Sequence, residues 1–74
     1  MKRLRTNKEY IENLREESGY TTKKFAEIGG LKALSYSAIK TTQANDFSYK
    51  SIVRWALHFN KPIGNFFIEE EHTK

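Results

Sequence analysis

Hydroxyl and amine side chains are frequent between Tyr20 and Ala44 (YTTKKFAEIGGLKALSYSAIKTTQA). Serine and threonine hydroxyls form hydrogen bonds and lysine amines carry positive charge, so this stretch suits binding to an anionic partner. The two histidines, His58 and His72, have no Asp or Glu at a motif spacing, and no nucleophile–base pair is visible. The sequence therefore predicts a binding protein that is not an enzyme and needs no metal or other cofactor.

The charge distribution agrees with such a partner without deciding the question. Thirteen Lys and Arg against nine Asp and Glu give a net charge of +4. Residues 1–8 and 18–61 carry the basic excess, whereas residues 9–17 and the end of the chain are acidic. A basic middle segment suits a polyanion, and an ordinary solvated surface gives the same totals.

The chain is predicted to be one small domain. Its 74 residues include no cysteine, and a chain of this length buries only about 60% of its unfolded surface, so aromatic side chains must supply much of the core. The absence of cysteine, of a signal peptide and of an apolar span predicts a cytoplasmic protein without membrane contact. We assign a basic arm to residues 1–5, a helical core to 6–67 and an acidic tail to 68–74.

Two short helices are predicted before a pair of glycines. Thr6 and Glu9 have the spacing of a capping box, which begins the first helix, and Gly19 is placed to end it. Thr21 is a good N-cap for the second helix. Gly29-Gly30 ends that helix, because each glycine costs about 1 kcal/mol relative to alanine inside a helix.

The third helix has two possible starts. One alignment begins it at Lys32 or Ala33, and the other makes Ser35 its N-cap. Both place it within about residues 33–44. In both, Tyr36 is equally suited to the core between the second and third helices and to the exposed surface.

A fourth helix begins after the N-cap Ser48 and ends at Asn60, before Pro62. Its apolar face contains Tyr49, Ile52, Val53, Ala56 and Phe59, with Trp55 at the edge. Pro62 suits the first position of a fifth short helix that folds Phe66 and Phe67 onto the core. The predicted fold is all-α, a compact bundle of about five short helices.

The order and spacing of these signals resemble the Cro/repressor class of helix-turn-helix domains, the XRE family. The first group of matching residues is Leu14-Arg15, Gly19-Tyr20-Thr21-Thr22, Phe25-Ala26-Glu27 and Gly30. The second group is Ser48-Tyr49, Ser51-Ile52, Trp55-Ala56, Phe59 and Pro62, followed by the closing Phe66-Phe67. The resemblance covers about residues 8 to 67 and implies a lambda-repressor-like fold. The sequence departs from the family at Thr22, where Gln is frequent, and after Ile39, where the usual Glu and Gly are missing.

The resemblance implies that the third helix lies in the major groove of double-stranded DNA. The residues implied to meet bases lie in its N-terminal part and along it: Lys32, Ala33, Ser35, Tyr36, Ser37 and Lys40. The residues implied to contact phosphates flank the second and fourth helices: Thr21, Thr22, Lys23, Asn45 and Lys50. A lysine amine suits guanine O6 and N7, whereas a serine hydroxyl pairs with several bases. The basic arm is expected to follow the DNA backbone or a groove.

The implied function is that of a transcriptional regulator, by default a repressor, from a bacterium, phage or plasmid. A homodimer is expected on DNA, since one small module reads few base pairs. Four aromatic side chains, Trp55, Phe59, Phe66 and Phe67, suit either a dimer interface or the core of one subunit. The alternative is a small helix-turn-helix protein that acts through a protein partner, as an antitoxin or as an inhibitor of another regulator or enzyme.

Overall fold

The computed structural model describes residues 2–42 and 45–71, and its elements are mainly helical. In chain order these elements are β1 (Lys2–Thr6), α1 (Lys8–Ser18), α2 (Thr22–Ile28), α3 (Ala33–Thr41), α4 (Tyr49–Phe59), a 3₁₀ turn (Ile63–Phe66) and β2 (Phe67–Glu71). The prediction of a mostly helical chain is confirmed, whereas the predicted fifth helix is a 3₁₀ turn and the described chain also contains a two-stranded sheet. The predicted C-terminal limit of the third helix, at residues 43–44, and the tail residues 72–74 lie outside the described residues.

The two chain ends form an antiparallel two-stranded sheet, which replaces most of the predicted arm and tail. The register sets Lys2 opposite Glu71 and Arg3 opposite Glu70. This pairing joins residues 2–6 to residues 67–71, which are far apart in the sequence. The backbone N–H of Asn7 extends this pairing by donating to the carbonyl of Phe66 at 2.7 Å.

The first helix begins one residue later than predicted. The side-chain oxygen of Asn7 accepts a hydrogen bond from the backbone N–H of Tyr10 at 3.1 Å, which makes Asn7 the N-cap. Thr6 belongs to β1 instead, and its hydroxyl donates to Asp46 at 3.0 Å. The end of α1 is as predicted, because Gly19 has a φ of 76° in the left-handed region that glycine enters without strain.

The structure defines where the second, third and fourth helices begin. Thr21 caps α2 by accepting from the N–H of Lys24, and Ser48 caps α4 by accepting from the N–H of Ser51, both as predicted. Helix α3 begins at Ala33, so the alignment with an early start is confirmed and the one with Ser35 as N-cap is wrong. The N-cap position of α3 is Lys32, which makes no side-chain capping bond.

The packing of α4 against α2 differs from the prediction at Trp55. Its side chain is fully buried rather than at an edge, and its ring stacks on Phe25 with centroids 4.8 Å apart. The indole N–H donates to the carbonyl of Phe25 at 2.8 Å, and the Ser51 hydroxyl donates to that of Gly29 at 2.8 Å. A Cβ added to Gly29 would lie 2.6 Å from the Trp55 ring, so this position requires glycine. Tyr49, predicted on the apolar face, is 67% exposed.

The remaining aromatic side chains close the core within one subunit. Phe66 is fully buried, and Phe59 and Phe67 are half-buried against the same core. The aromatic surplus therefore gives no support to a dimer interface. Pro62 is the N-cap of the 3₁₀ turn rather than the first residue of an α-helix. Within the described ranges, no helix has the length and apolar character needed to cross a membrane.

Candidate nucleic-acid interface

Helix α3 has a buried side and an exposed side. Its buried side is anchored by Tyr36, and Ile39 packs beside it against the core. On the exposed side lie Leu34, Ser35, Ala38 and Thr41, which share one face because their spacing follows the helical period. We call these four residues the α3 outer face. It presents two hydroxyls and two aliphatic side chains, and Leu34 is 85% exposed.

Tyr36 is a core residue, so its predicted contact with bases is wrong. Its side chain has no exposed surface, and its ring packs against Phe25 and Phe47 at centroid distances of 5.6 and 5.2 Å. The phenol donates a hydrogen bond to Oε1 of Glu12 at 2.8 Å. Burial of the phenol is the main reason that the pKa of Tyr36 is raised. The residue therefore fixes the position of α3 against α1.

The same carboxylate restrains Lys40. Its amine lies 3.6 Å from Oε2 of Glu12 and 5.8 Å from the centre of the Tyr36 ring. Glu12 also receives a hydrogen bond from Arg15 at 2.6 Å, and this bond is the main reason that the pKa of Glu12 lies below its ordinary value. Lys40 therefore has a carboxylate partner within the chain and is a weaker candidate for a base contact than predicted.

The Glu12 cluster predicts a specific dependence of stability on pH. Because the pKa of Glu12 is lowered in the folded chain, its stabilising contribution is fully present above about pH 4.5 and is lost as pH falls through the folded value. We expect Glu12→Gln to lower the free energy of unfolding by about 1.5–3 kcal/mol at pH 7, the range for hydrogen bonds to a charged group. Urea titrations of both proteins from pH 7 to pH 3 should show this difference shrinking. A difference that stays constant over that range would contradict the assignment.

Most of the cationic candidates have exposed side chains. Lys23, Lys32 and Lys50 are exposed, as predicted. Arg54, which the sequence prediction missed, is also exposed, and its guanidinium packs beside the α2–α3 turn, 3.4 Å from where a Cβ of Gly30 would lie. The signal for Arg54 was its position four residues after Lys50, on the same side of α4. The structure thus brings Arg54 close to the turn that precedes Lys32.

The remaining predicted residues are less available than their types suggest. The Thr21 oxygen already accepts the capping hydrogen bond of α2, and Thr22 is half-buried. Ala33 and Ser37 are half-buried at the edges of the α3 outer face. Asn45 is exposed, and its backbone carbonyl accepts a hydrogen bond from Lys8.

The described part of the chain contains no group of three or more His, Cys, Asp or Glu side chains arranged to hold a metal ion. A comparison with protein-family models, curated proteins and solved structures finds no match to this chain. The assignment of a function therefore depends on the geometry and charge of α3 and its surroundings.

Proposed function

We propose that this chain is a sequence-specific DNA-binding regulator of transcription, with α2 and α3 as a helix-turn-helix and α3 as its reading helix. The observation that carries the proposal is the two-sided construction of α3. Its inner side is fixed by the buried Tyr36, while its outer face is exposed. Two cations lie before this face, Lys32 at the N-cap of α3 and Arg54 beside the preceding turn at Gly30. A rigidly held helix with an exposed face and adjacent cations suits the major groove.

The α3 outer face has the chemistry for reading base edges. The Ser35 hydroxyl can both donate and accept hydrogen bonds, so it suits several base edges. The Thr41 hydroxyl donates to the carbonyl of Ser37 at 2.9 Å and therefore offers a base only its acceptor lone pairs. The aliphatic side chains of Leu34 and Ala38 suit contact with the methyl group of thymine. In this arrangement Lys32, exposed at the start of the helix, is placed for a guanine or a phosphate oxygen.

Phosphate contacts would fix the orientation of the domain on the duplex. Lys23, Lys50 and Arg54 are exposed and come from the two helices that flank α3 in the sequence. Contacts to phosphates position a protein without reading sequence. One α3 reads few base pairs, so we propose a homodimer on DNA with half-sites about 34 Å apart. Occupation of a promoter by such a dimer would repress transcription.

Selection of bound duplexes from a random pool tests this proposal most directly. The expected result is enrichment of a palindromic sequence whose half-sites are one helical turn apart, bound by two chains. The selected duplex then serves for all later affinity measurements. Failure to enrich any sequence, with no mobility shift at low salt, would contradict the proposal.

The salt dependence of affinity identifies the phosphate contacts. Each neutralised phosphate contributes about 0.9 to the slope of log affinity against log salt concentration. We expect Lys50→Gln and Arg54→Gln each to reduce the magnitude of that slope by about 0.9. Lys61→Gln is the matched control, because Lys61 is also exposed but follows the far end of α4. An equal effect of all three substitutions would show that the slope reports only net charge.

A second function is favoured by one observation. The α3 outer face carries no charge, and Leu34 is the most exposed large apolar side chain among the described residues. An exposed leucine on a neutral face suits an apolar groove of a protein partner. In this alternative the chain acts as an antitoxin or as an inhibitor of another regulator or enzyme. A tight complex with a protein that is insensitive to salt, without any DNA shift, would favour it.

A further inference from the structure

Among the lysines whose side chains the structure describes, Lys8 is the least exposed. It is the first residue of α1, yet its side chain crosses a cleft of about 430 Å³ that lies between the start of α1, β1 and the end of α3. The amine donates to the backbone carbonyl of Thr42 at 2.5 Å and to that of Asn45 at 2.6 Å. The side chain is only 18% exposed.

One acceptor of Lys8, the carbonyl of Thr42, lies at the end of α3, and the other, that of Asn45, lies in the segment after it. Thr42 is the C-cap residue of α3. The last carbonyls of a helix lack partners within the helix and form the negative end of its dipole, so a cation there is favourable. Lys8 therefore caps α3 from a distant part of the sequence and also holds the segment that leads towards α4.

A second contact ties the same segment to the strand pair. The carboxylate of Asp46 accepts a hydrogen bond from the hydroxyl of Thr6 at 3.0 Å and lies 3.8 Å from the Lys8 amine. Thr6 is buried and is the last residue of β1, paired with Phe67 of β2. The segment at Asp46 is therefore held by the sheet, through Thr6, as well as by α1, through Lys8.

We infer that Lys8 is a positioning residue for DNA binding, an inference that rests on the proposed function. Asn45 and Lys50, both predicted to contact phosphates, follow the point at which Lys8 holds the chain. Lys8 sets where this segment leaves α3, and so it sets the spacing between the α3 outer face and those phosphate contacts. Its own charge is used by the carbonyls of Thr42 and Asn45 and does not reach the duplex.

The substitution Lys8→Met tests the inference, because methionine keeps an unbranched apolar side chain but has no charge and no donor. We expect affinity for the selected duplex to fall by about 2- to 30-fold, the range for residues that act through others. The slope against salt should remain that of the unchanged protein. The matched control is Lys50→Met, for which the magnitude of the slope should fall by about 0.9. Circular dichroism at the assay temperature confirms that both variants are folded.

Hydrogen exchange in the absence of DNA gives a readout that does not depend on binding. We expect Lys8→Met to accelerate exchange at the amides of Asp46 and Phe47. The conservative substitution Lys8→Arg should leave these amides protected, because arginine also donates to carbonyls. A reduced slope for Lys8→Met would instead make Lys8 a phosphate contact and overturn the inference. Unchanged affinity and unchanged exchange would also overturn it. If the unchanged protein selects no duplex, the proposed function fails and the positioning role fails with it. The exchange data then still decide whether Lys8 holds the segment at Asp46 and Phe47.

Discussion

Replacing Trp55 with alanine is expected to lower the free energy of unfolding by about 3–5 kcal/mol, the range for removing a large buried aromatic side chain. The ring is fully buried, stacks on Phe25 and packs edge-on against Phe47, with 5.2 Å between the two ring centroids. Gly29 lies against this ring and has no side chain that could fill the vacated space. Because domains are stable by only about 5–15 kcal/mol, this loss is a large fraction of the total and should move the unfolding midpoint to a clearly lower urea concentration.

Two controls separate the loss of the ring from a general effect of changing α4. Trp55→Phe retains an aromatic ring but loses the N–H that donates to Phe25, so its cost should be clearly smaller than that of Trp55→Ala. Leu57→Ala alters a residue of the same helix that is 78% exposed and should change stability by no more than about 0.5 kcal/mol. Urea unfolding followed by circular dichroism measures all three. Equal stability of Trp55→Ala and Leu57→Ala would contradict the observed packing.

The helix ends were predictable because their signals are local. Gly19, Thr21 and Ser48 act through their own backbone conformation or through an N–H three residues away. Asn60 ends α4 with a φ of 55°, the left-handed conformation that asparagine tolerates better than most residues. Such contacts can be read from a few neighbouring letters of sequence.

The strand pair and the position of Trp55 were not predictable in this way because they depend on distant partners. Strand β1 pairs with residues 67–71, at the other end of the chain. The depth at which Trp55 is buried depends on Gly29, whose missing side chain admits the ring. From the sequence, Gly29 and Gly30 predict only the end of a helix. In the structure the two differ, because Gly30 has a positive φ and Gly29 does not.

The exposed and buried sides of α3 could be predicted only in part from the sequence. The choice between two starts of α3 decides which side chains face outward, and the sequence could not make it because Lys32 forms no side-chain cap. With α3 beginning at Ala33, Leu34 is exposed and Tyr36 is buried against α1. Arg54 was missed because its proximity to the α2–α3 turn is a contact between helices.

Two negative charges on the α3 outer face are expected to abolish specific DNA binding while leaving the fold intact. The double substitution Ser35→Glu and Ala38→Glu places carboxylates where base edges would lie. Each lost or mismatched base contact typically costs about 1–3 kcal/mol, so the two together should weaken binding by about 30-fold or more. Both residues are exposed. A glutamate at position 35 lies in the first turn of α3 and is favourable there, which offsets the unfavourable glutamate at position 38 in the last turn. Stability should therefore remain within about 1 kcal/mol of the original.

The matched control adds the same two charges on a different helix. Asn13→Glu and Ser18→Glu alter exposed residues of α1, so the net charge falls equally while the α3 outer face is unchanged. Affinity for the selected duplex and for a scrambled duplex should be measured at one salt concentration, because long-range repulsion depends on ionic strength. The α3 variant should lose the preference for the selected duplex, whereas the α1 variant should keep it with a modest loss for both duplexes. If both variants retain the preference, α3 is not the reading helix, and an apolar protein partner becomes the better explanation for the exposed Leu34.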